Sequence, residues 1–290
     1  MPTRASILRR LLARDGPVVM PFAYDAVSAR IIQECGFEAV GASGGNIAAS
    51  LLAVPDIGLT TMTEIVTQTK NISSACELPV IADADNGYGN HANVQRTIRE
   101  FEQAGVAGLF FEDQRSPKRC GHYEGTDVVP AEEMEAKIRA AVEARVDPDL
   151  VIVARTDARQ KYGLEEAIAR GSRYASAGAD VIFVEAPQSV DELRQLPTRI
   201  PVPLMVNMVE GGRTPVLPSD ELGRMGFRIV IWPDTAMAAA AHAVRAALGE
   251  LKRTGTTAQI MDRLSAFEEM RSLLRFAEYR ALDQRFGARN

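Results

Sequence analysis

Short apolar runs recur eight times along the chain of 290 residues, and segments with helical periodicity separate them. The runs are "PVVMPF" (17–22), "FEAVGA" (37–42), "LPVIADAD" (78–85), "VAGLFFED" (106–113), "LVIVARTD" (150–157), "DVIFVEA" (180–186), "VPLMVN" (202–207) and "FRIVIWP" (227–233). They are rich in β-branched residues, nearly unbroken by polar ones, and bounded by Gly, Pro or Asp. This pattern is typical of parallel strands that are buried on both faces.

Segments such as "AVSARIIQEC", "NVQRTIREFEQAG", "PAEEMEAKIRAAVEA", "LEEAIARGSRYASAG" and "SDELGRMG" alternate with these runs, and residues 1–16 indicate a first helix. About eight β/α units over roughly 250 residues predict an α/β fold, a (β/α)8 TIM-type barrel. The alternative is a doubly wound sheet. That fold favours a glycine-rich phosphate turn after an early strand, and the sequence has none at the required spacing.

The sequence predicts one domain over residues 1–290, because no linker rich in Pro, Gly or Ser divides it. Residues 257–286 indicate two further amphipathic helices, so we expect a C-terminal helical extension over 256–290. A barrel does not need this extension, and surplus apolar surface of this kind often meets a partner subunit.

Charge and composition exclude several classes of partner. The formal net charge is −5 and no stripe of Lys or Arg occurs, so nucleic acid is not expected as a partner. No window reaches the roughly 18 apolar residues of a membrane span, and the first residues lack a secretory cleavage site. Three cysteines are an odd number for a disulfide framework, which favours a reducing, cytoplasmic location.

Acidic residues fall at the predicted ends of two strands. Asp83 and Asp85 stand two apart, so on one strand they would point to the same face, and Glu112 ends the next strand. Active sites of barrels lie at the carboxyl ends of the strands, and carboxylate oxygens suit Mg²⁺ or Mn²⁺. The alternative is that these acids cap the following helices and turns.

Two further rim features indicate a small anionic substrate. Arg155 leaves an apolar strand, and its guanidinium offers a fork that matches a carboxylate or a phosphate. An internal ion pair with Glu185 or Glu112 is equally compatible with this position. The stretch "SGG" at 43–45 is either a nest of backbone N–H groups for an anion or a tight turn.

The segment 114–129 has no helical or strand period, which is typical of a lid or a binding loop. Gly121 and Gly125 provide hinges, and Cys120 lies between them and the cations Lys118 and Arg119. We interpret this segment as a mobile loop that delivers a thiol to the barrel rim. The alternative is an exposed basic loop with an incidental cysteine.

The motifs "DADNGYGN" (83–90), "FFEDQ" (110–114) and "KRCGH" (118–122) together resemble the isocitrate lyase and phosphoenolpyruvate mutase superfamily. The likeness covers nearly the whole chain and is greatest to the branch of methylisocitrate and 2,3-dimethylmalate lyases. Members of this superfamily are Mg²⁺-dependent barrels, usually homotetramers that exchange a C-terminal helix between subunits. The resemblance implies the same fold, cofactor and assembly here.

The resemblance also implies a role for each matching residue. Asp85 would hold the metal directly, with Asp83, Asp56 and Glu112 around it, mostly through water. The implied catalytic residues are Cys120, Arg155, Glu112 and His122. The implied substrate-binding residues are Ser43, Gly44, Gly45, Lys118, Gly121, Glu185 and Asn207.

The implied reaction is the Mg²⁺-dependent cleavage of a carbon–carbon bond in a 2-hydroxy dicarboxylate of the alkylmalate or methylisocitrate type. It would yield a 2-oxo acid and a carboxylate, with Cys120 protonating the enolate. Lys118, Arg119 and His122 are expected to lower the pKa of this thiol, in tension with a role as an acid. The alternatives are a phosphonomutase of the carboxyvinyl-carboxyphosphonate type, an oxaloacetate decarboxylase or hydrolase, and a barrel without catalysis.

Three positions depart from the lyase pattern. Gly41 stands where these lyases tend to carry Tyr, and "YEGTD" (123–127) replaces an Arg-rich segment that reads a third carboxylate. Trp232 and Asp234 stand where relatives often have smaller or apolar side chains. A dicarboxylate substrate is therefore favoured over a tricarboxylate.

Overall fold

The computed structural model describes residues 2–287 and contains a closed barrel of eight parallel strands. The strands are β1 (Val18–Ala23), β2 (Val40–Ala42), β3 (Val80–Asp83), β4 (Gly108–Glu112), β5 (Val151–Thr156), β6 (Val181–Val184), β7 (Leu204–Asn207) and β8 (Ile229–Trp232). Each strand pairs with its sequence neighbour, and β8 closes the barrel on β1, where Ile229 lies opposite Val18. The predicted TIM-type barrel is confirmed, and each strand falls within the apolar run that predicted it except β1, which extends one residue further to Ala23.

Helices surround the strands in the predicted alternation. They are α1 (Arg4–Ala13), α2 (Ala26–Glu34), α3 (Gly44–Leu52), α4 (Met62–Ala75), α5 (His91–Gln103), α6 (Ala131–Ala144), α7 (Ala158–Ser176), α8 (Val190–Arg199) and α9 (Ser219–Met225). A further helix, α10 (Thr235–Thr254), follows β8 in the sequence. Side-chain caps fix several starts. The Asp25 carboxylate accepts a hydrogen bond from the Ser28 N–H at 2.7 Å, and Thr61 and Glu64 form a capping box at α4.

The strands separate two apolar layers. Val18, Met20, Phe22, Val153 and Phe183 belong to a cluster inside the barrel. Their sequence neighbours on the same strands pack outward against the helices, as expected for side chains that alternate between the faces of a strand. Leu8 of α1 is fully buried in the inner cluster, so the first helix closes the barrel at the amino ends of the strands.

The C-terminal part contains a 3₁₀ helix (Ala258–Arg263), α11 (Phe267–Leu273) and α12 (Phe276–Phe286). The two predicted helices are thus present, preceded by the 3₁₀ helix. The chain divides into two compact units, Met1–Ala236 and Met237–Asn290. The predicted extension over 256–290 stays a prediction, as does the single domain over 1–290, and residues 1 and 288–290 lie outside the described residues. Among the described residues, no helix is both long enough and apolar enough to cross a membrane.

Candidate active site

The polar residues at the barrel mouth follow from the alternation of the strands. Inward-facing apolar residues are followed two positions later by inward polar ones: Ile81 by Asp83, Phe110 by Glu112, Val153 by Arg155, Phe183 by Glu185, and Met205 by Asn207. All five polar residues are at least nine-tenths buried. The carboxyl end of the barrel therefore holds a layer of charged and amide side chains directly above the apolar interior.

Three phenylalanine rings form the floor beneath this layer. The ring centroid of Phe110 lies 6.2 Å from that of Phe22 and 5.9 Å from that of Phe183. The Arg155 guanidinium stands 5.2 Å from the centroid of Phe183, within reach of a cation–π interaction. Phe22 also explains the departure at Gly41, because a side chain at residue 41 would overlap the Phe22 ring.

Four acids form one side of the site, and we call Asp56, Asp83, Asp85 and Glu112 the acid cluster. The prediction that Asp83 and Asp85 share a strand is wrong. Strand β3 ends at Asp83, and Asp85 lies in the following turn with a left-handed φ of 48°. The Asp85 N–H donates to Asp83 Oδ1 at 2.9 Å, so the turn itself brings the two carboxyl groups together.

Lys118 bridges this cluster. Its Nζ atom lies 2.5 Å from Asp85 Oδ1 and 2.7 Å from Asp56 Oδ1. Burial alone would lower the pKa of Lys118, but Asp85, Asp83 and the other acids raise it well above its ordinary value. The ammonium is therefore charged and committed to carboxylates. It was predicted to bind substrate, and in this arrangement it joins the loop to the acid cluster.

The acid cluster has four carboxyl groups, and Lys118 pairs with only two of them. Burial raises the pKa of Asp83 to about 6, against the attraction of Lys118, and burial also raises the pKa of Asp85 and Glu112. The Oε2 atom of Glu112 is buried without a hydrogen-bond partner. Among residues 2–287, no three His, Cys, Asp or Glu side chains are arranged as a metal site. Hard carboxylate oxygens and one unpartnered oxygen nevertheless fit Mg²⁺ in chemical type.

The loop 114–129 lies on the barrel mouth. Its two ends pair as a short antiparallel bridge between Gln114 and Val128. Further along, the Cys120 N–H donates to the Asp56 carbonyl oxygen at 3.0 Å. The backbone at Gly121 lies so close to the barrel that a Cβ atom there would stand 2.6 Å from Arg155 Nη2. Only glycine permits this approach, so the loop is seated over the site.

The pKa of Cys120 differs from the sequence prediction. Cations in the loop were expected to lower it, but burial, together with the Glu185 and Asp56 carboxylates, raises it to about 12. The expectation is wrong because the cations have other partners. Lys118 pairs with Asp56 and Asp85, and Arg119 Nη1 donates to the Glu124 carbonyl oxygen at 3.2 Å. A protonated thiol suits an acid rather than a nucleophile.

Arg155 is held by two carboxylates. Its Nε and Nη2 donate to the two oxygens of Asp157 at 2.9 and 2.8 Å, and Nη1 lies 3.1 Å from Glu185 Oε2. The ion pair with Glu185 that the sequence left open is present, and Asp157 is the second partner. The guanidinium is thereby fixed in one orientation at the mouth of the barrel.

The third part of the site combines His122, Glu185 and Asn207. Asn207 Nδ2 donates to both Glu185 oxygens at 3.3 and 3.4 Å, while the Asn207 Oδ1 atom is buried without a partner. His122 Nδ1 accepts the Arg213 N–H at 3.0 Å, which places the ring proton on Nε2. That nitrogen lies 3.2 Å from Glu185 Oε1 but outside hydrogen-bonding direction. Two polar atoms are thus left for a ligand.

The glycine stretch 43–45 is neither a free nest nor an isolated turn, since it begins α3. Ser43 is the N-cap, and its hydroxyl oxygen accepts the Asn46 N–H at 3.2 Å. The Gly44 N–H donates to Asp83 Oδ2 at 3.3 Å. A helix N-terminus favours an anion, so the predicted function of the segment is compatible with its different geometry.

Two residues that organise this site, Asp157 and Asp113, end predicted strands, but the sequence assigned neither of them a role. Asp157 follows Arg155 by two positions and lies directly after β5. Asp113 is fully buried and accepts hydrogen bonds from Tyr174 at 2.7 Å and Arg170 at 3.0 Å, residues on α7 that are 61 and 57 positions away. No local pattern in the sequence signals such a long-range contact.

Comparison with known proteins agrees with this arrangement. The family profile described as phosphoenolpyruvate phosphomutase matches residues 8–252. The chain is 45% identical to 2,3-dimethylmalate lyase of Eubacterium barkeri over 282 residues, which cover 97% of this chain and 98% of the relative. It is also 45% identical to the chloroplastic carboxyvinyl-carboxyphosphonate phosphorylmutase of Arabidopsis thaliana over 281 residues, covering 96% and 83% of the two chains.

Among solved structures, oxaloacetate acetylhydrolase in complex with 3,3-difluorooxalacetate superposes with a TM-score of 0.94. The two proteins share 34% sequence identity over 99% of this chain and 98% of the other. The chain therefore belongs to the phosphoenolpyruvate phosphomutase family, within the isocitrate lyase and phosphoenolpyruvate mutase superfamily that its motifs resemble.

Proposed function

We propose that this protein is a Mg²⁺-dependent carbon–carbon lyase that cleaves a 2-hydroxy dicarboxylate of the alkylmalate type. The products are a 2-oxo acid and a carboxylate. The observation that carries the proposal is the position of Cys120, whose N–H is hydrogen-bonded to the Asp56 carbonyl oxygen and whose neighbour Gly121 lies against Arg155 and Glu185 at the barrel mouth. Burial there raises the pKa of its thiol to about 12, which keeps the proton on the sulfur. The 45% identity to 2,3-dimethylmalate lyase over nearly the whole chain supports it.

The two ends of the site suit the two carboxylates of such a substrate. The Arg155 guanidinium and the N-terminus of α3 offer positive charge and N–H donors to the end that becomes the 2-oxo acid. The unpartnered His122 Nε2–H offers a donor to the other carboxylate, whereas the unpartnered Asn207 Oδ1 is an acceptor and suits a hydroxyl group of the substrate. These groups are fixed by other protein contacts, so little reorganisation accompanies binding.

The proposed cleavage moves one electron pair. The substrate hydroxyl loses its proton, a carbonyl forms, and the bond between the hydroxyl-bearing carbon and its neighbour breaks. The electron pair of that bond passes to the departing fragment, which becomes an enolate of its carboxylate. Cys120 donates its proton to the enolate carbon, and solvent returns a proton to the sulfur. The proton lost by the hydroxyl is thus balanced by the proton returned to Cys120.

A hard divalent ion would be held by the carboxylates of the acid cluster, with Asp85 as the direct ligand and Asp83, Asp56 and Glu112 around it. When bound, Mg²⁺ would supply electrostatic stabilisation of negative charge on the substrate oxygens. The hydrogen bond within their turn orients Asp85 and Asp83. The ion pair between Lys118 and Asp85 connects the loop to this turn.

The size of the substrate is inferred from the loop after Cys120. Tyr123 and Glu124 are exposed, and Glu124 adds a negative charge near Arg213, at 3.8 Å. A third substrate carboxylate would find no free cation in this stretch of the loop. This arrangement supports a dicarboxylate rather than a tricarboxylate.

We further propose a cytoplasmic homotetramer in which a C-terminal helix is exchanged between subunits. Three cysteines, an odd number for a disulfide framework, support the location. Large apolar side chains that remain exposed in the C-terminal unit, among them Phe267 and Phe286, support the assembly. Light scattering of the purified protein should give four times the mass of one chain, and a monomer would exclude it.

The decisive assay is the release of a 2-oxo acid from a panel of 2-hydroxy dicarboxylates with and without Mg²⁺. We expect turnover of alkylmalates, its loss on chelation of the metal, and its return when Mg²⁺ is added. Oxaloacetate and phosphonopyruvate belong in the same panel, because relatives of this chain carry those activities in their names. Turnover of either one, with none of any malate, would contradict the lyase proposal.

The role of the thiol is tested by Cys120→Ser, with Cys35→Ser at an exposed position as the matched control. A serine hydroxyl is a far weaker acid, so we expect the release of the carboxylate product to fall by roughly 10²-fold or more. Binding of oxalate and Mg²⁺ measured by calorimetry should be retained. Full turnover by Cys120→Ser would remove Cys120 from the proposed mechanism.

A further inference from the structure

Gln114 is the first residue of the loop 114–129 and is only 2% exposed. Its side chain reaches across the loop and forms hydrogen bonds with both the N–H and the carbonyl oxygen of Arg119. The Oε1 atom accepts the Arg119 N–H at 3.0 Å, and Nε2 donates to the Arg119 carbonyl oxygen at 2.7 Å. Arg119 immediately precedes Cys120, so these two hydrogen bonds fix the backbone that carries the thiol.

Gln114 is also hydrogen-bonded to the turn that contains Asp85. Asn86 directly follows Asp85, and its Nδ2 atom donates to the Gln114 carbonyl oxygen at 3.4 Å. Lys137, which is 3% exposed, donates from Nζ to the Asn86 carbonyl oxygen at 3.2 Å. A chain of buried hydrogen bonds thus runs from α6 through the acid turn to the loop.

We propose that Gln114 is a positioning residue that latches the loop 114–129 over the barrel and holds Cys120 in its half-buried place beside the acid cluster. The consequence for turnover rests on the proposed role of Cys120 as the acid. The latch itself does not rest on that role, since it concerns only the position and exposure of the thiol.

The chemistry of the contact requires glutamine. One amide group must present an acceptor to an N–H and a donor to a carbonyl, at a reach of five residues along the chain. Methionine has a similar length but neither group in usable form. Asparagine has both groups on a shorter side chain that does not span the loop. Each replacement therefore removes the hydrogen bonds to Arg119, methionine by its chemistry and asparagine by its length.

Gln160 provides a matched comparison. Its Nε2 atom donates to the Tyr123 carbonyl oxygen at 2.8 Å, and its Oε1 atom accepts the Thr126 hydroxyl at 2.7 Å. It therefore also donates one hydrogen bond and accepts one, but to the other half of the loop. Loss of Gln160 loosens residues 123–126 and leaves the Arg119 contacts in place.

The test measures loop opening without substrate, using Gln114→Met, Gln114→Asn and Gln160→Met. Alkylation of Cys120 by iodoacetamide is followed by peptide mass spectrometry at constant pH, together with tryptic cleavage after Lys118 and Arg119. We expect both rates to rise ~10-fold or more in the two Gln114 variants, since a buried hydrogen bond contributes about that factor to an equilibrium. The rise in Gln160→Met should be much smaller.

Three outcomes decide the proposal. Unchanged alkylation in both Gln114 variants would overturn the latch, and so would an equal rise in Gln160→Met. If malates are turned over, kcat should fall in the Gln114 variants more than KM rises, because the acid is displaced while Arg155 remains fixed. If no malate is turned over, the proposed function fails while the alkylation rates still decide the latch.

Discussion

Arg155 and Asp157 form a two-pronged ion pair at the centre of the barrel mouth, with Nε and Nη2 of the arginine donating at 2.9 and 2.8 Å to the two carboxylate oxygens. Both residues are at least nine-tenths buried. The pair fixes the direction of the guanidinium, so the substrate meets a cation that is already oriented.

Asp157→Asn should therefore damage catalysis. The amide nitrogen would face an arginine N–H, and one prong of the pair would be lost. A misplacement of about 1 Å of a group that binds substrate costs on the order of 10²-fold, so kcat/KM for the malate that is turned over should fall by roughly that factor. Asp191→Asn is the control, because Asp191 forms an exposed pair with Arg194 and should change activity little. Equal activity of both variants would show that Asp157 does not orient Arg155.

Asp113 supports the same region from beneath. It accepts hydrogen bonds from the Asp157 N–H at 2.9 Å, the Thr156 hydroxyl at 2.8 Å, and the side chains of Tyr174 and Arg170. Its own carbonyl oxygen accepts the Val129 N–H at 2.8 Å. Asp113 thus joins the end of β5, through its carboxylate, to the far end of the loop 114–129, through its backbone carbonyl oxygen.

Removing one donor to Asp113 and removing the Asp113 carboxylate itself should lower the free energy of unfolding by different amounts. Tyr174→Phe deletes one hydroxyl donor to a carboxylate and should lower the free energy of unfolding by ~1–2 kcal/mol. Asp113→Asn removes the buried negative charge that pairs with Arg170 and should lower the free energy of unfolding by ~3 kcal/mol or more. Urea unfolding of both variants measures these values. A larger loss in Tyr174→Phe than in Asp113→Asn would contradict this account of the network.

The strands and most of the site were predictable because both depend on local periodicity. Apolar runs gave the eight strands, and the polar residue two positions beyond each inward apolar residue gave Asp83, Glu112 and Arg155. The state of Cys120 was not predictable, since it depends on which carboxylates capture the neighbouring Lys118. That choice is made by the seated loop, and the partner Asp56 is 62 residues away in the sequence.

The raised pKa of Cys120 predicts a distinctive reactivity. Because burial raises this pKa to about 12, the thiolate fraction should increase about tenfold per pH unit from pH 7 to 10 without reaching a plateau. Alkylation of Cys120 measured by peptide mass spectrometry should follow the same slope. In urea the same thiol should level off near its ordinary pKa of about 8.5. A plateau near pH 7 in the folded protein would indicate a thiolate and exclude the acid role.

Gly41 and Phe22 predict a packing effect. A methyl group at residue 41 would overlap the Phe22 ring, so Gly41→Ala should destabilise the protein by about 1–3 kcal/mol. The same substitution in a Phe22→Ala background should cost much less, because the space is then open. Gly249→Ala is the control, since no atom lies within 4 Å of its Cβ position. Additive losses at residues 41 and 22 would contradict the overlap.

Glu185 predicts how stability depends on pH. Burial alone would raise its pKa, but Arg155 and His122 hold it at about 2, below the ordinary value of 4.5. The folded protein therefore binds a proton at this site less readily than the unfolded chain. The stabilisation is complete above pH 4.5 and is lost as the pH falls toward 2. Its size is ~3 kcal/mol, from a shift of about two and a half pH units.

The measurement compares the wild-type protein with Glu185→Gln by urea unfolding at several pH values from 7 to 3. We expect the variant to be less stable by ~3 kcal/mol at pH 7, and the difference to shrink steadily below pH 4.5. Asp83, whose pKa burial raises to about 6, titrates in both proteins and is removed when one curve is subtracted from the other. A difference that stays constant down to pH 3 would mean that Glu185 stabilises the fold through packing rather than through its charge beside Arg155.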